Sequence, residues 1–179
     1  MRHLLTLVIV LLSLTLVQHS AAQVRDQLLN PAESDLNFNL QSDFLQGSGR
    51  FTKYSGSIRP GINDFAQSVI SFQIDPILAE FNSGAMFLQP LIQQMPSHPV
   101  FFKSSTLRAI GAGRYRVDGT VTSRGETHRV AFPITMLRSA RGETVIKGEI
   151  ASSELDLPLP AALQQQALSG TLIYKLVFR

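Results

Sequence analysis

The sequence contains no cysteine and no tryptophan, and after its first segment it contains no long apolar run. The absence of cysteine excludes disulfides, zinc–thiolate sites and thiol catalysis. There is no block of Lys and Arg residues and no Trp for base stacking, so no nucleic-acid partner is expected. The net charge of +3 comes from 16 basic and 13 acidic residues. This small excess predicts an ordinary solvated surface.

The first 22 residues have the layout of a secretory signal peptide. A short basic start, Met1–His3, precedes the apolar run Leu4–Val17, and small residues follow up to Ala22. The apolar run has about 14 residues, fewer than the roughly 20 that a spanning helix needs, so a retained membrane anchor is the weaker alternative. Together with the lack of cysteine, this pattern predicts cleavage after Ala22 and a periplasmic protein without stable membrane insertion.

The remaining residues, 23–179, are enough for one domain with its own core. The segment from His98 to Met136 has the clearest pattern, with three apolar-rich runs separated by two glycine-containing breaks. Such runs predict three strands joined by hairpins. In the third run, alternate residues form one apolar row, which is typical of a strand with one buried face: Val130, Phe132, Ile134 and Met136.

Similar runs extend the pattern to eight strands. Beyond the three strands of the meander, they are Leu36–Gln41, Arg50–Arg59, Ile70–Asp75, Glu143–Ala151 and Thr171–Arg179. Eight antiparallel strands in one domain fit either a sandwich or a closed barrel, and closure removes the exposed sheet edges. The prediction is therefore an all-β fold, an eight-stranded antiparallel barrel.

Two short helical segments are predicted between strands. Over residues 76–97, Phe87, Leu91 and Met95 lie four positions apart and form one apolar stripe, which indicates a helical insertion between strands 3 and 4. The insertion either packs on the flank of the barrel or covers a ligand mouth. Pro158–Leu168 has the composition of a short helical crossover before the last strand.

If the apolar rows face inward, they line a dry pocket. The candidate ligand-binding residues on these rows are Phe38, Phe72, Ile74, Phe102, Tyr115, Val117, Phe132, Ile134, Tyr174 and Leu176. His128 has the same strand parity as Phe132 and lies at the end of its row, where it could bond a ligand head group. The same rows also fit a filled core, and the pattern does not distinguish the two.

Several segments match the motifs of a known family in their order along the chain. They are Gly49-Arg50-Phe51 with Tyr54-Ser55-Gly56, Ser71–Asp75, His98–Phe102 with Ser104-Ser105, and Tyr115–Gly125 with Thr127. This arrangement resembles the YceI-like family of periplasmic lipocalin-like barrels. The resemblance implies a lipocalin-like barrel that binds polyisoprenoid or other long-chain amphiphiles.

The chain departs from the family pattern at two places. His98 stands where relatives usually have an aromatic residue before the proline, and Ser152–Leu157 lacks the arginine, aromatic residue and glycine of the late family motif. If those residues shape the ligand mouth in relatives, the resemblance implies the fold of this chain but not the identity of its ligand.

Catalytic and cofactor motifs are absent from the sequence. After the signal peptide only His98 and His128 remain as histidines, without clustered carboxylates, so no metal site is predicted. No nucleophile elbow, Walker motif or dinucleotide glycine motif occurs, so no cofactor and no catalysis are expected.

The predicted function is an exported binding protein that sequesters or carries a long apolar or amphipathic molecule, such as an isoprenoid or a fatty acid. One alternative is a filled barrel that acts as a structural or stress-response interaction protein without a ligand. A second alternative, an esterase-like enzyme, would need activity that depends on His128.

Overall fold

The computed structural model describes residues 25–43, 46–61, 64–76, 78–84, 98–155 and 169–179, together with positions 86 and 89. These residues form eleven strands and the helical turn α1 (Ser152–Leu155), and positions 86 and 89 are also helical. The strands are β1 (Gln27–Leu28), β2 (Asp35–Gln41), β3 (Gln46–Phe51), β4 (Tyr54–Arg59), β5 (Val69–Ile74), β6 (Ala79–Ser83), β7 (Val100–Gly111), β8 (Arg114–Ser123), β9 (Glu126–Arg138), β10 (Thr144–Ala151) and β11 (Ser169–Phe178). Short 3-10 turns occur at Pro31–Glu33 and Phe65–Gln67.

All strand pairs are antiparallel within one curled sheet. The strand order is β1-β4-β5-β7-β8-β9-β10-β11-β2-β3-β6. The first strand touches both sides of this curl, because Leu29 N–H donates to Gly56 O at 2.9 Å while Leu28 and Arg179 exchange two bonds of 2.9 Å. The predicted all-β antiparallel fold is confirmed as a curled sheet with almost no helix among the described residues.

The number of strands differs from the prediction, with eleven in place of eight. The additional strands are β1, β3 and β6. Along the chain, β1 precedes β2, β3 precedes β4 and β6 follows β5, and a short break separates the two strands in each case. Thr52 N–H donates to Leu78 O at 2.9 Å and Asp75 N–H donates to Lys53 O at 3.0 Å, so the breaks after β3 and after β5 lie side by side. Pro76 has no N–H to donate to a neighbouring strand, which favours a break between β5 and β6.

The predicted helical insertion is wrong in its first part. Residues Ala79–Ser83 form β6, which pairs with β3. Alternation with period two explains this result, because Phe81 packs on Phe38 with ring centroids 5.9 Å apart while Glu80 turns outward to Arg50. Most of the rest of the insertion lies outside the described residues, as does the predicted crossover helix Pro158–Leu168.

The predicted meander is confirmed as β7, β8 and β9. Tight turns join these strands, with Gly113 at φ 69° and the pair Arg124 and Gly125 at φ 54° and 81°. Positive φ at both central residues is the two-residue hairpin geometry that follows the twist of the strands. The apolar row of β9 is buried as expected.

One end of the curled sheet is closed by completely buried side chains, and we call it the sealed end. Phe178 and Ile58 are 0% exposed, Met136 is 1% exposed and Thr144 is 0% exposed. Burial of each large apolar side chain contributes roughly 1.5–3 kcal/mol. At the opposite end, which we call the far end, β5 finishes at Ile74 and β7 begins at Val100, and both side chains are only half-buried.

Candidate functional site

The inner face of the curled sheet lines an apolar cavity of about 140 Å³. Side chains from seven strands point into it because alternate residues of each strand face inward. Fifteen described residues line the cavity: Leu36, Ile70, Phe72, Ile74, Val100, Phe102, Val117, Val121, Phe132, Ile134, Ile146, Ile150, Leu172, Tyr174 and Leu176.

Most of the candidate residues from the sequence lie in this lining. Those that line the cavity are Phe72, Ile74, Phe102, Val117, Phe132, Ile134, Tyr174 and Leu176. They come from five strands that are separated along the chain, and the register of the sheet brings them together. Each of them belongs to a regular row with one inward face, which is the feature that period-two alternation indicates.

Seven lining residues were missed: Leu36, Ile70, Val100, Val121, Ile146, Ile150 and Leu172. Most of them lie two or four positions from a predicted residue on the same row, so extending each row would have found them. The row of β10 was harder to see, because Gly148 interrupts Ile146 and Ile150. Val145, which is apolar but lies on the other face, further obscures the parity of this strand.

Phe38 lies outside the cavity. Its ring packs against Phe51 at 5.0 Å and against Phe81 at 5.9 Å, in a second small apolar cluster. The inner row of β2 divides between the two sites because β2 pairs with β11 on one side and with β3 on the other. Leu36, two residues earlier, is the β2 residue that reaches the cavity.

Tyr115 lies near the sealed end rather than in the lining. Its ring meets the edge of Phe65 at 6.1 Å, and its hydroxyl donates to Asp64 Oδ1 at 3.4 Å. Burial and the neighbouring Asp64 carboxylate raise the pKa of Tyr115 above its ordinary value. The phenol therefore stays neutral and holds the 3-10 turn Phe65–Gln67 against the sheet.

His128 lies on the inner row of β9 but beyond the lining, toward the far end. It stands opposite Val121 across the β8–β9 pair. One third of its side chain is exposed, and its Nε2 lies 3.8 Å from Glu126 Oε2. The side chain is thus accessible to solvent and to any group that extends out of the cavity at this end.

Two glycines give the aromatic rings of the cavity their room. A Cβ on Gly119 would come within 2.7 Å of the Phe102 ring, and a Cβ on Gly148 would overlap the Tyr174 hydroxyl. Each ring therefore lies across a glycine on the neighbouring strand. The Phe102 ring also packs against Phe132 with centroids 5.4 Å apart, so these rings determine much of the cavity's shape.

The lining offers burial rather than reactive chemistry. Among the described lining residues, only Tyr174 carries a polar side-chain atom. An apolar cavity of about 150 Å³ stays dry and holds a ring of benzene size, whereas pockets for drug-sized ligands typically exceed about 300 Å³. In the present conformation the cavity thus has room for a short apolar group.

The family model described as YceI-like domain matches residues 28–164, which is most of the chain. The chain belongs to the YceI-like family. No curated protein sequence matches it significantly. Among the described residues, no helix has the length and apolar character needed to cross a membrane.

Three solved structures have the same fold as this YceI-like chain at low sequence identity. BcnA of Burkholderia cenocepacia is 16% identical, with a TM-score of 0.68 over 83% of this chain and 98% of its own. A polyisoprenoid binding domain from Saccharophagus degradans is 11% identical, with a TM-score of 0.54 over 88% and 99%. The YceI protein of Campylobacter jejuni is 14% identical, with a TM-score of 0.52 over 73% and 84%.

The YceI-like motif Tyr115–Gly125 has a physical role in the cavity. Val117 and Val121 line it, and Gly119 between them admits the Phe102 ring. The departing late segment begins with α1, where Ser152 Oγ accepts a bond of 3.0 Å from Gly170 N–H at the start of β11. The rest of that segment, after residue 155, lies outside the described residues.

Proposed function

We propose that this protein is an exported binding protein that sequesters or carries a long-chain apolar or amphipathic ligand, of polyisoprenoid or fatty-acid type. The observation that carries the proposal is the apolar cavity lined by the inner face of the curled sheet. Membership of the YceI-like family and the likeness to a polyisoprenoid binding domain support it. Binding would derive from burial of apolar surface, at about 0.8 kcal/mol per buried methylene.

The proposed ligand contacts are the eight predicted residues that line the cavity, together with His128 as a polar contact at the far end. A long chain needs more room than about 140 Å³. Rotation of the Phe102 and Phe132 rings would enlarge the cavity, since side-chain rotamer changes on binding are common. The remainder of the chain would leave at the far end, past the half-buried side chains of Ile74 and Val100. Phe38 and Tyr115 are not among the proposed contacts because they lie outside the cavity.

Export is part of the same proposal. Residues 1–22 would act as a cleaved signal peptide, and residues 23–179 would form the mature periplasmic domain. The basic start, apolar run and small residues of the N-terminal segment support this assignment. The first 24 residues lie outside the part of the chain that the structure describes.

A filled barrel with a structural or stress-response role is the second candidate. The small volume of the cavity favours it, because about 140 Å³ is below the usual range for ligand pockets. In that case the cavity would be a packing defect, and partner proteins would bind the outer surface.

Native mass spectrometry of protein purified from the exporting host distinguishes the two candidates. A co-purifying molecule of a few hundred daltons that is released on denaturation supports a carrier. If only the apo mass is found, uptake of a fluorescent fatty acid is the second measurement. No uptake by the folded protein would contradict the carrier and favour the filled barrel.

Two pairs of adjacent substitutions locate the ligand. Phe132→Asp puts a charge into the cavity and should abolish uptake, whereas Ala131→Asp puts the same charge on the outer face of the same strand. Leu172→Trp fills the cavity without a charge and should lower uptake at least tenfold, with Ile173→Trp as its outward control. Ile173 is 39% exposed, so it tolerates a larger side chain. Equal uptake by Leu172→Trp and Ile173→Trp would place the ligand elsewhere.

A further inference from the structure

The outer surface of β7–β11 carries six exposed cations, which we call the basic face. They are Lys103, Arg114, Arg116, Arg129, Lys147 and Lys175. The register places them side by side, since Lys103 and Arg129 flank Thr120 while Thr135 lies between Arg114 and Lys147. The nearly balanced composition of the chain therefore hides a concentration of positive charge on one surface.

Positive charges on the basic face stand directly opposite one another. Lys147 on β10 stands opposite Lys175 on β11, and Arg116 on β8 stands opposite Arg108 on β7. Like charges in opposite positions of adjacent strands repel and lower stability. The arrangement is thus unfavourable for the isolated fold.

Asp118 forms an ion pair with Arg108, a further outward cation that is not one of the six of the basic face. Its Oδ2 accepts a bond of 2.9 Å from Arg108, and Thr106 donates to the same oxygen at 3.0 Å. Partial burial raises the pKa of Asp118, but these bonds outweigh it and hold the pKa below its ordinary value, so the carboxylate stays charged and bound to Arg108. The nearby charge of Arg116, on the same strand, also lowers the pKa of Asp118, but Arg116 is exposed and makes no ion pair with it within 4.0 Å.

The six cations of the basic face make no ion pair within 4.0 Å of any described acidic group. Besides Asp118, Glu149 is the acidic residue on the outer face of these strands. Asp35 on β2 lies opposite Lys175 on β11, at the edge of the basic face. On β3 and β4, by contrast, Arg50 pairs with Glu80 and Arg59 pairs with Asp26 at 2.6 Å and 2.8 Å. The six unpaired cations of the basic face therefore contrast with the paired cations of β3 and β4.

Large apolar side chains share this surface with the cations. Phe101 and Leu137 are each 47% exposed and Ile173 is 39% exposed. They have the same strand parity as Lys103, Arg129 and Lys175, respectively, and therefore face outward on the same side of the sheet. Exposed apolar groups among cations match the membrane interface, where apolar side chains enter the headgroup region and cations meet anionic lipids.

We propose that the basic face docks on the surface of a membrane that contains anionic lipids. Electrostatic attraction and shallow burial of Phe101, Leu137 and Ile173 hold the protein there without a membrane-spanning segment. This docking is independent of what the cavity binds. An acidic protein would use the cations but would not by itself account for the apolar groups between them.

Vesicle flotation of the protein purified from the exporting host tests the proposal. Binding to phosphatidylglycerol-containing vesicles should exceed binding to pure phosphatidylcholine vesicles at least tenfold at low ionic strength, and high salt should remove the difference. Equal binding to the two kinds of vesicle, or binding to neither, would overturn the proposal; in the latter case an acidic protein would be the partner to test.

Matched charge removals locate the docking surface. The double variant Lys147→Gln/Lys175→Gln should lose at least tenfold in binding to the anionic vesicles. The control Lys53→Gln/Arg59→Gln removes the same charge from β4 and the residue before it, and should change binding less than threefold. Equal losses in the two variants would overturn the assignment of this surface. Uptake of the fluorescent fatty acid should be unchanged in both variants, which separates docking from ligand binding.

Discussion

The two halves of the sheet are built differently. The strands β7–β11, which we call the long half, have 8 to 13 residues each, whereas β1–β6, the short half, have 2 to 7. Eleven of the fifteen lining residues come from the long half. Continuous strands with regular alternation therefore provide most of the cavity wall, and the broken strands complete it.

The outer faces of the two halves also differ. In the short half, Arg50 has an acidic partner on the adjacent strand β6, and Arg59 has one in Asp26, the residue before β1. In the long half, six cations lack such partners among the described residues. Exposed cations of the short half thus have carboxylates that balance their charge. The long half forms most of the cavity wall on its inner face and carries cations without ion-pair partners on its outer face.

The largest effect is expected where the two halves meet. Phe178 is 0% exposed and forms a bridge with Leu29, so it joins β11 to the short half. Phe178→Ala should lower the free energy of unfolding by about 3–5 kcal/mol, because it leaves a cavity in a fully packed region. Urea denaturation measures the loss.

Val145→Ala provides the matched control within the long half. Val145 is half-buried on the outer face, so its truncation should cost less than about 1.5 kcal/mol. A loss for Phe178→Ala no larger than that of Val145→Ala would mean that the junction between the halves contributes little to stability.

An intermediate effect is expected from filling the space under an aromatic ring in the long half. Gly148→Ala should displace the Tyr174 ring and cost about 1–3 kcal/mol, because the added methyl overlaps the hydroxyl. In a Tyr174→Leu background the same substitution should cost at least about 1 kcal/mol less, since the overlapping group is gone. Additive losses in this double-mutant cycle would show that the two positions are not coupled.

The smallest effects should have opposite signs in the two halves. Arg50→Gln removes the exposed ion pair with Glu80 and should cost about 0.2–1 kcal/mol. Lys147→Gln relieves repulsion from Lys175 and should raise stability by a few tenths of a kcal/mol. Urea denaturation at low ionic strength measures both, and high salt should shrink both. Destabilisation by Lys147→Gln would contradict the repulsion inferred for the basic face.

The long half was largely predictable from the sequence. The row that contains Phe132 and Ile134 alternates without interruption, and the glycines at positions 113 and 125 mark the hairpins. The short half was harder, because breaks near Pro31, at Thr52 and near Pro76 divide longer runs into separate strands. Alternation also identified Phe38 as inward-facing, but it could not tell which of two apolar clusters the ring would join.

The sequence by itself determined the strand periodicity, the hairpin positions and the apolar character of the inner rows, because these depend on neighbours within about ten residues. It also carried the motifs of the YceI-like family. Only the tertiary structure decided which rows meet around the cavity, since this depends on the pairing of β11 with β2 and of β5 with β7. The pairing among β7 to β11 gathers scattered Lys and Arg residues into the basic face, which the composition does not reveal.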